Sequence, residues 1–173
     1  MFFLQMSGFP GSGKTTLSRR VAQITGAIIV DHDTSKTALL KAAEGHDIEL
    51  WVLGKFSYTV DWELIDFYLS QGKSVIFESP CLYPEMIKNG LDLSSKHKAE
   101  YKYVECYLNN HTEINRRLKA RDRLISQIES TTQESFEATI NNSQRPPSNV
   151  EYLIVDSSQP LDTYLDKVID YIK

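Results

Sequence analysis

Short apolar runs alternate along the chain with longer segments whose apolar residues recur every three or four positions. Residues 2–6, 27–30, 73–78, 103–108 and 151–155 are runs of the first kind, and they predict five buried strands. Residues 14–24 carry Leu17, Val21 and Ile24 at helical spacing, and residues 34–44 carry Leu39 and Leu40 before Gly45 stops them. Residues 58–69 read as a helix closed by Gln71-Gly72. Residues 112–123 predict a strongly charged helix, and residues 161–172 the closing one. Residues 46–54 and 85–93 fit neither period, and residues 136–140 suggest a short extra helix. Arg145-Pro146-Pro147 is a break. The polar stretch 126–149 is expected to be a mobile insert. Strands alternating with helices predict an α/β fold, a parallel sheet covered on both faces, within one domain spanning residues 1–173.

Composition narrows the class. The net charge of -4 gives no general attraction to nucleic acid. The two cysteines, Cys81 and Cys106, are too few for a disulfide framework and suit a reducing compartment. No leader pattern precedes the first strand, and no apolar run approaches the roughly 20 residues of a membrane span. The expectation is a soluble cytoplasmic protein without a membrane partner. Trp51 and Trp62 are expected to pack internally.

The chemistry begins at GFPGSGKTT, residues 8–16. Gly8, Gly13, Lys14 and Thr15 follow the pattern glycine, four residues, Gly-Lys-Thr, between a predicted strand and a predicted helix. Glycines let backbone N–H groups turn inward around phosphate oxygens, and the following helix points its free N–H groups at the same place. Lys14 is expected to reach the β- and γ-phosphates of a nucleoside triphosphate, and Thr15 to hold Mg²⁺. Pro10 stiffens the loop, Gly11 and Thr16 complete it, and Ser12 is a candidate phosphate contact.

Other candidates stand at strand ends, where open α/β sheets bind ligands. Asp31 and Asp33 follow the second strand; either is a candidate base for a hydroxyl proton or a helix cap. Lys36, one turn on, is suited to an anionic part of an acceptor. His32 reads as structural. Glu78 ends the third strand, as a metal or acceptor ligand or a plain strand-end polar group, and Cys81 nearby has no evident base. Arg117 and Arg121, four apart, are expected on one helical face, where two guanidiniums would clamp a moving phosphoryl group; a solvated charged face is the alternative. Arg116 and Arg123 read as surface residues. Arg145 is a candidate neighbour of the base.

Taken in order, GFPGSGKTT, VDHD (30–33), GKSVIFESP (72–80), RRLKARD (116–122) and YLIVDSSQPLDTYLDKVIDYI (152–172) resemble the P-loop kinase family of small bacterial AAA-type ATP-binding proteins. That group is similar to the kinase domain of phage polynucleotide kinase and to small-molecule and nucleotide kinases. The resemblance spans nearly the whole chain. It implies a three-layer P-loop sandwich with five parallel strands, ATP and Mg²⁺ as cofactors, and a helical lid around 112–145. It implies Lys14, Asp33, Arg117 and Arg121 as catalytic residues, with Asp33 taking the acceptor's proton. It also implies Lys36 and Glu78 toward the acceptor, Thr15 and Glu78 toward the metal, and Arg145 beside adenine. Two positions depart from the family pattern. Lys36 replaces an arginine that holds the acceptor phosphate in polynucleotide kinases, and lysine lacks its bidentate fork. Glu78 stands where aspartate is usual. The expected activity is transfer of the γ-phosphoryl group of ATP to a small hydroxyl-bearing molecule such as a nucleoside, nucleotide or sugar. Alternatives are a polynucleotide 5′-hydroxyl kinase and a regulatory ATPase acting on a protein partner. No pattern sets an oligomeric state.

Overall fold

The computed structural model describes residues 1–173. Five parallel strands form one sheet: β1 (Phe2–Ser7), β2 (Ile28–Asp31), β3 (Val75–Glu78), β4 (Glu100–Tyr107) and β5 (Leu153–Asp156). Their spatial order is β2-β3-β1-β4-β5. β1 lies at the centre, with Leu4 opposite both Ile76 and Lys102, and Met6 opposite Glu78 and Val104. The C-terminal ends of all five strands therefore face the same way.

Side chains alternate across this sheet, as strand geometry requires. Phe2, Leu4, Met6, Ile76, Val104 and Cys106 point to one face and meet Leu17 and Val21 of α1 (Lys14–Thr25) and Leu165, Val168, Ile169 and Ile172 of α7 (Leu165–Ile172). Phe3, Val75, Phe77 and Tyr103 point to the other and meet Ile65 and Leu69 of α3 (Leu50–Ser70) and Met86 and Ile87 of α4 (Pro84–His97). Gln5 is a fully buried polar residue of β1 with both ends satisfied: its Nε2 donates to Cys81 Sγ at 3.4 Å, and its Oε1 accepts from Tyr101 Oη at 2.8 Å. Both cysteines are buried free thiols, and burial pushes each up to about 12.

A third apolar cluster joins Phe9 and Leu108 to Ile114 and Leu118 of α5 (His111–Ala120) and Phe136 of α6 (Gln133–Asn141). The stretch 126–149 thus contains a helix with a buried anchor. α5 ends at Ala120, not at 123, because Arg121 turns extended (φ -89°, ψ 151°) and its guanidinium donates to Ile128 O at 3.0 Å. The closing helix also starts later, after a single 3₁₀ turn at Leu161–Thr163. Of the two segments that fit no period, 50–54 form the start of α3 while 46–49 remain a connection, and 85–93 lie within α4, which has Pro84 in its first turn. α2 (His32–Ala42) packs beside α3. No helix is long and apolar enough to cross a membrane.

α4 approaches the sheet through Gly90, where an added Cβ would lie 2.7 Å from the Tyr101 ring and 3.0 Å from the Phe3 ring. Gly90→Val is expected to cost about 1–3 kcal/mol by overpacking. Urea unfolding measures this, and a midpoint equal to wild type would refute the close packing.

Candidate functional site

β1 runs directly into the glycine loop. Gly8 adopts φ +133°, and a side chain there would sit 2.4 Å from Cys106 O and 2.6 Å from Ser12 Oγ. Only glycine permits that turn against β4. Gly13 caps α1 in the left-handed region (φ 102°) without a side-chain cap. The first N–H groups of α1 are therefore free to meet an anion. Lys14 is buried, and its Nζ donates to Gly8 O at 2.8 Å and Phe9 O at 3.2 Å. Burial holds its ammonium below the usual lysine range, opposed by the nearby Glu78 charge. The buried Ser12 hydroxyl has no hydrogen-bond partner. Inward N–H groups, a buried ammonium and an unpartnered hydroxyl suit phosphate oxygens.

This loop opens on a cleft of about 840 Å³. Pro10, Gly11, Gly13, Lys14, Thr15 and Thr16 line it from the loop, Asp31 and Asp33 from the end of β2 and start of α2, and Glu78 from the end of β3. Arg117 and Arg121 line it as well. Thr15 Oγ1 donates directly to Glu78 Oε1, so the two candidate metal ligands touch. Burial pushes the Glu78 carboxyl above the usual range, while the Lys14 charge and the Thr15 hydroxyl oppose the shift. No group of three or more His, Cys, Asp or Glu side chains is gathered for a metal. A hydroxyl beside one carboxylate suits Mg²⁺, which keeps waters and takes substrate phosphate oxygens as ligands.

The structure separates the roles of the two aspartates. Asp31 is the cap of α2, accepting from Asp33 N at 2.9 Å and from the Thr34 hydroxyl at 3.3 Å. Asp33 keeps its carboxylate for the cleft, where Oδ2 accepts from Gln127 Nε2 at 2.8 Å. Ser126 Oγ donates to Asp33 O at 3.0 Å, so the loop after α5 closes against the start of α2.

Arg117 and Arg121 share the cleft but not a helical face, since Arg121 lies beyond the end of α5. Arg117 donates from Nε to Glu113 Oε1 (2.7 Å) and from Nη2 to Ser157 O (3.0 Å), and its Nη1 lies beside Gly13. Arg121 keeps an unpartnered buried Nε. Arg145 is not with them. Its guanidinium grips Glu105 of β4 at 2.6 and 3.1 Å and faces a surface hollow beside α4, outside the glycine-loop cleft. Arg145, read from the sequence as a candidate neighbour of a base, has a partner in the scaffold: buried Glu105 needs a counter-charge, and Arg145 supplies it.

Several cleft residues escaped the sequence reading. Arg19 and Asp122 line the cleft, and Gln127 reaches Asp33 from a loop that reads only as polar. His32 is 5% exposed, stacks on Tyr58 at 3.8 Å, and binds buried Asp61 through Nδ1 at 2.7 Å. An acid on the same helical face as Ile65 and Leu69, four and eight residues before them, was the available signal for Asp61. Trp62 packs on Phe77 (4.8 Å), but Trp51 is 69% exposed, against the expectation of burial.

A family model described as an AAA domain, AAA_33, matches residues 4–146. The chain belongs to this family. No curated protein matches it. Among solved structures, a Chloroflexus aurantiacus protein provisionally assigned as a kinase superposes with a TM-score of 0.77 at 17% identity, covering 99% of this chain and 93% of that one. A gluconokinase from Sinorhizobium meliloti gives 0.64 at 16% identity, over 99% and 91%. The APS kinase of Mycobacterium tuberculosis, in complex with AMPPNP and APS, gives 0.62 at 17% identity, over 98% and 96%. The fold is that of the P-loop kinases.

Two outcomes follow from the charges. The folded protein keeps a proton on Glu78 at pH values where the unfolded chain has lost it. This contribution to stability is full below the ordinary glutamate range and is lost as pH rises through the raised folded value. Glu78→Gln is therefore expected to flatten the fall in Tm as pH rises above the ordinary glutamate range. An unchanged slope in calorimetry would refute it. Arg145→Ala leaves buried Glu105 unpaired and is expected to cost about 2–3 kcal/mol while nucleotide affinity stays at the wild-type value. Denaturant unfolding beside nucleotide titration tests this, and a loss of affinity without a loss of stability would contradict it.

Proposed function

We propose that this protein is an ATP-dependent phosphotransferase that moves the γ-phosphoryl group to a hydroxyl of a small molecule. The observation that carries the reading is the convergence of the glycine loop, the Asp33 carboxylate and two arginines on one cleft. In the proposed reaction the acceptor oxygen attacks the γ-phosphorus, the bond to the β-phosphate oxygen breaks, and ADP leaves. Asp33 takes the hydroxyl proton, which its carboxylate can do once the acceptor displaces the Gln127 amide. Lys14 exchanges its two carbonyl contacts for the β- and γ-phosphates. Arg117 and Arg121 neutralise charge on the moving group. Thr15 and Glu78 would hold Mg²⁺, which supplies charge neutralisation across the phosphates. Arg145 stabilises the scaffold from outside the site.

Kinase relatives of the same fold, and the P-loop family itself, support this class. The test is transfer of labelled γ-phosphate from Mg·ATP to pools of nucleosides, nucleotides, sugars and a 5′-hydroxyl oligonucleotide. Lys14→Ala and Asp33→Asn are each expected to lower transfer roughly a hundredfold or more. Transfer confined to the oligonucleotide would make this a polynucleotide kinase. Label released only as phosphate, at a rate no pool alters, would overturn the kinase reading in favour of a regulatory ATPase.

A further inference from the structure

A second cleft, of about 820 Å³, opens beside the first and shares His32, Asp33 and Arg121 with it. Any hydroxyl presented to Asp33 from this side belongs to a molecule held in this second space. The character of its walls therefore selects the acceptor.

Those walls come from the first turns of α3 and the entry to α4. Trp51, Tyr58, Trp62 and Tyr83 supply them. Trp51 and Tyr83 are 69% and 54% exposed, so internal packing does not account for them. The rings are held in place: Tyr58 stacks on His32 at 3.8 Å with planes 16° apart, and Tyr83 stands edge-on to Tyr58 at 6.4 Å. His32 is in turn fixed by buried Asp61 at 2.7 Å. Oriented aromatic faces favour a flat ring by stacking and edge-to-face contact. A polyol carries a hydroxyl on nearly every carbon, and each one desolvated without a partner is costly.

Charge gives the second half of the recognition. Lys36 and Lys55 line the same cleft, and neither is paired with a carboxylate anywhere in the structure. Glu85 is the one acid of the cleft besides Asp33. Two unpaired ammonium groups suit a phosphate or carboxylate, bound as a point charge.

We infer that the acceptor joins a flat unsaturated ring to an anionic group, as in a nucleoside monophosphate or a hydroxyaryl acid. The inference rests on the phosphotransfer reading for the role of the ligand, but its test reads binding alone. Trp51 and Trp62 are the two tryptophans of the chain, and both line this cleft, so intrinsic fluorescence reports its occupancy. The titration is made with the glycine loop saturated by Mg·AMPPNP. The probes are uridine monophosphate, para-hydroxybenzoate, uridine, gluconate and glycerol phosphate.

At least one of the two ring-bearing anions is expected to quench fluorescence and bind at least tenfold more tightly than uridine, gluconate or glycerol phosphate. Replacing both lysines (K36A and K55A together) is expected to erase the advantage over uridine. Trp51→Ala, an exposed position, is expected to weaken the ring-bearing anion with Tm unchanged. Gluconate or glycerol phosphate binding as tightly as both ring-bearing anions would overturn the inference, as would no probe altering the fluorescence. A double-lysine protein that is folded by circular dichroism yet keeps the full preference would also overturn it. Failure of both ring-bearing anions beside Lys14-dependent transfer to another pool removes the acceptor assignment and leaves phosphotransfer standing. Tight binding of either without any transfer does the reverse.

Discussion

The organisation of the cleft depends on one crowded contact, the turn of the backbone at Gly8 beneath the carbonyl of Cys106. β1 is buried along its whole length between β3 and β4, so the loop that follows it has no freedom to swing away from the sheet. The turn brings Lys14 back over its own loop and starts α1 with unpaired N–H groups. The parallel register then delivers Asp31 and Glu78 side by side at the ends of β2 and β3. A shift of β1 by one residue would exchange its two apolar faces and move the loop with them.

The charged groups of the cleft are arranged against one another. Lys14 and Glu78 are both buried, and each is pushed toward its neutral form by desolvation while the other's charge resists. Glu113 is drawn down to about 2 by Arg116 and Arg117, which fixes the Arg117 guanidinium between α5 and Ser157. Asp33 is joined to Gln127 across the cleft. The loop carrying Arg121 and Gln127 thus sits against both the phosphate end and the proposed acceptor end. A movement of that loop would alter the environment of Asp33 and the position of Arg121 together.

Much of this was legible in the chain. The five strands announced themselves because a doubly covered parallel sheet needs continuous apolar runs, and the glycine loop because its backbone demands those residue types. α3 was only half visible, since Leu50, Trp51, Phe56 and Val60 are apolar yet exposed, and their spacing does not mark a core-facing stripe. α4 was obscured by Pro84 and Gly90, residue types that disfavour a helix interior but serve here as a first-turn residue and a close-packing point. The pairing of Arg117 with Arg121 was right in space and wrong in cause, because a helix that stops at Ala120 leaves the second arginine to a loop. Arg145 looked available because its partner, Glu105, lies forty residues away in the middle of a strand. No local spacing reports such a partner.

The two clefts differ in how deeply they are rooted. The glycine loop and Glu78 grow out of the central strands, and altering them disturbs the sheet. Leu50 and Trp51 are 71% and 69% exposed and touch that sheet hardly at all. Exchanging surface side chains of this kind usually changes stability by no more than about 0.5 kcal/mol. The exposed rim of the second cleft at Leu50 and Trp51 is therefore free to drift, or to be redesigned, while Tyr58 and Trp62 stay tied to the core. One such frame can be retuned toward new molecules by changing the exposed first turn of α3.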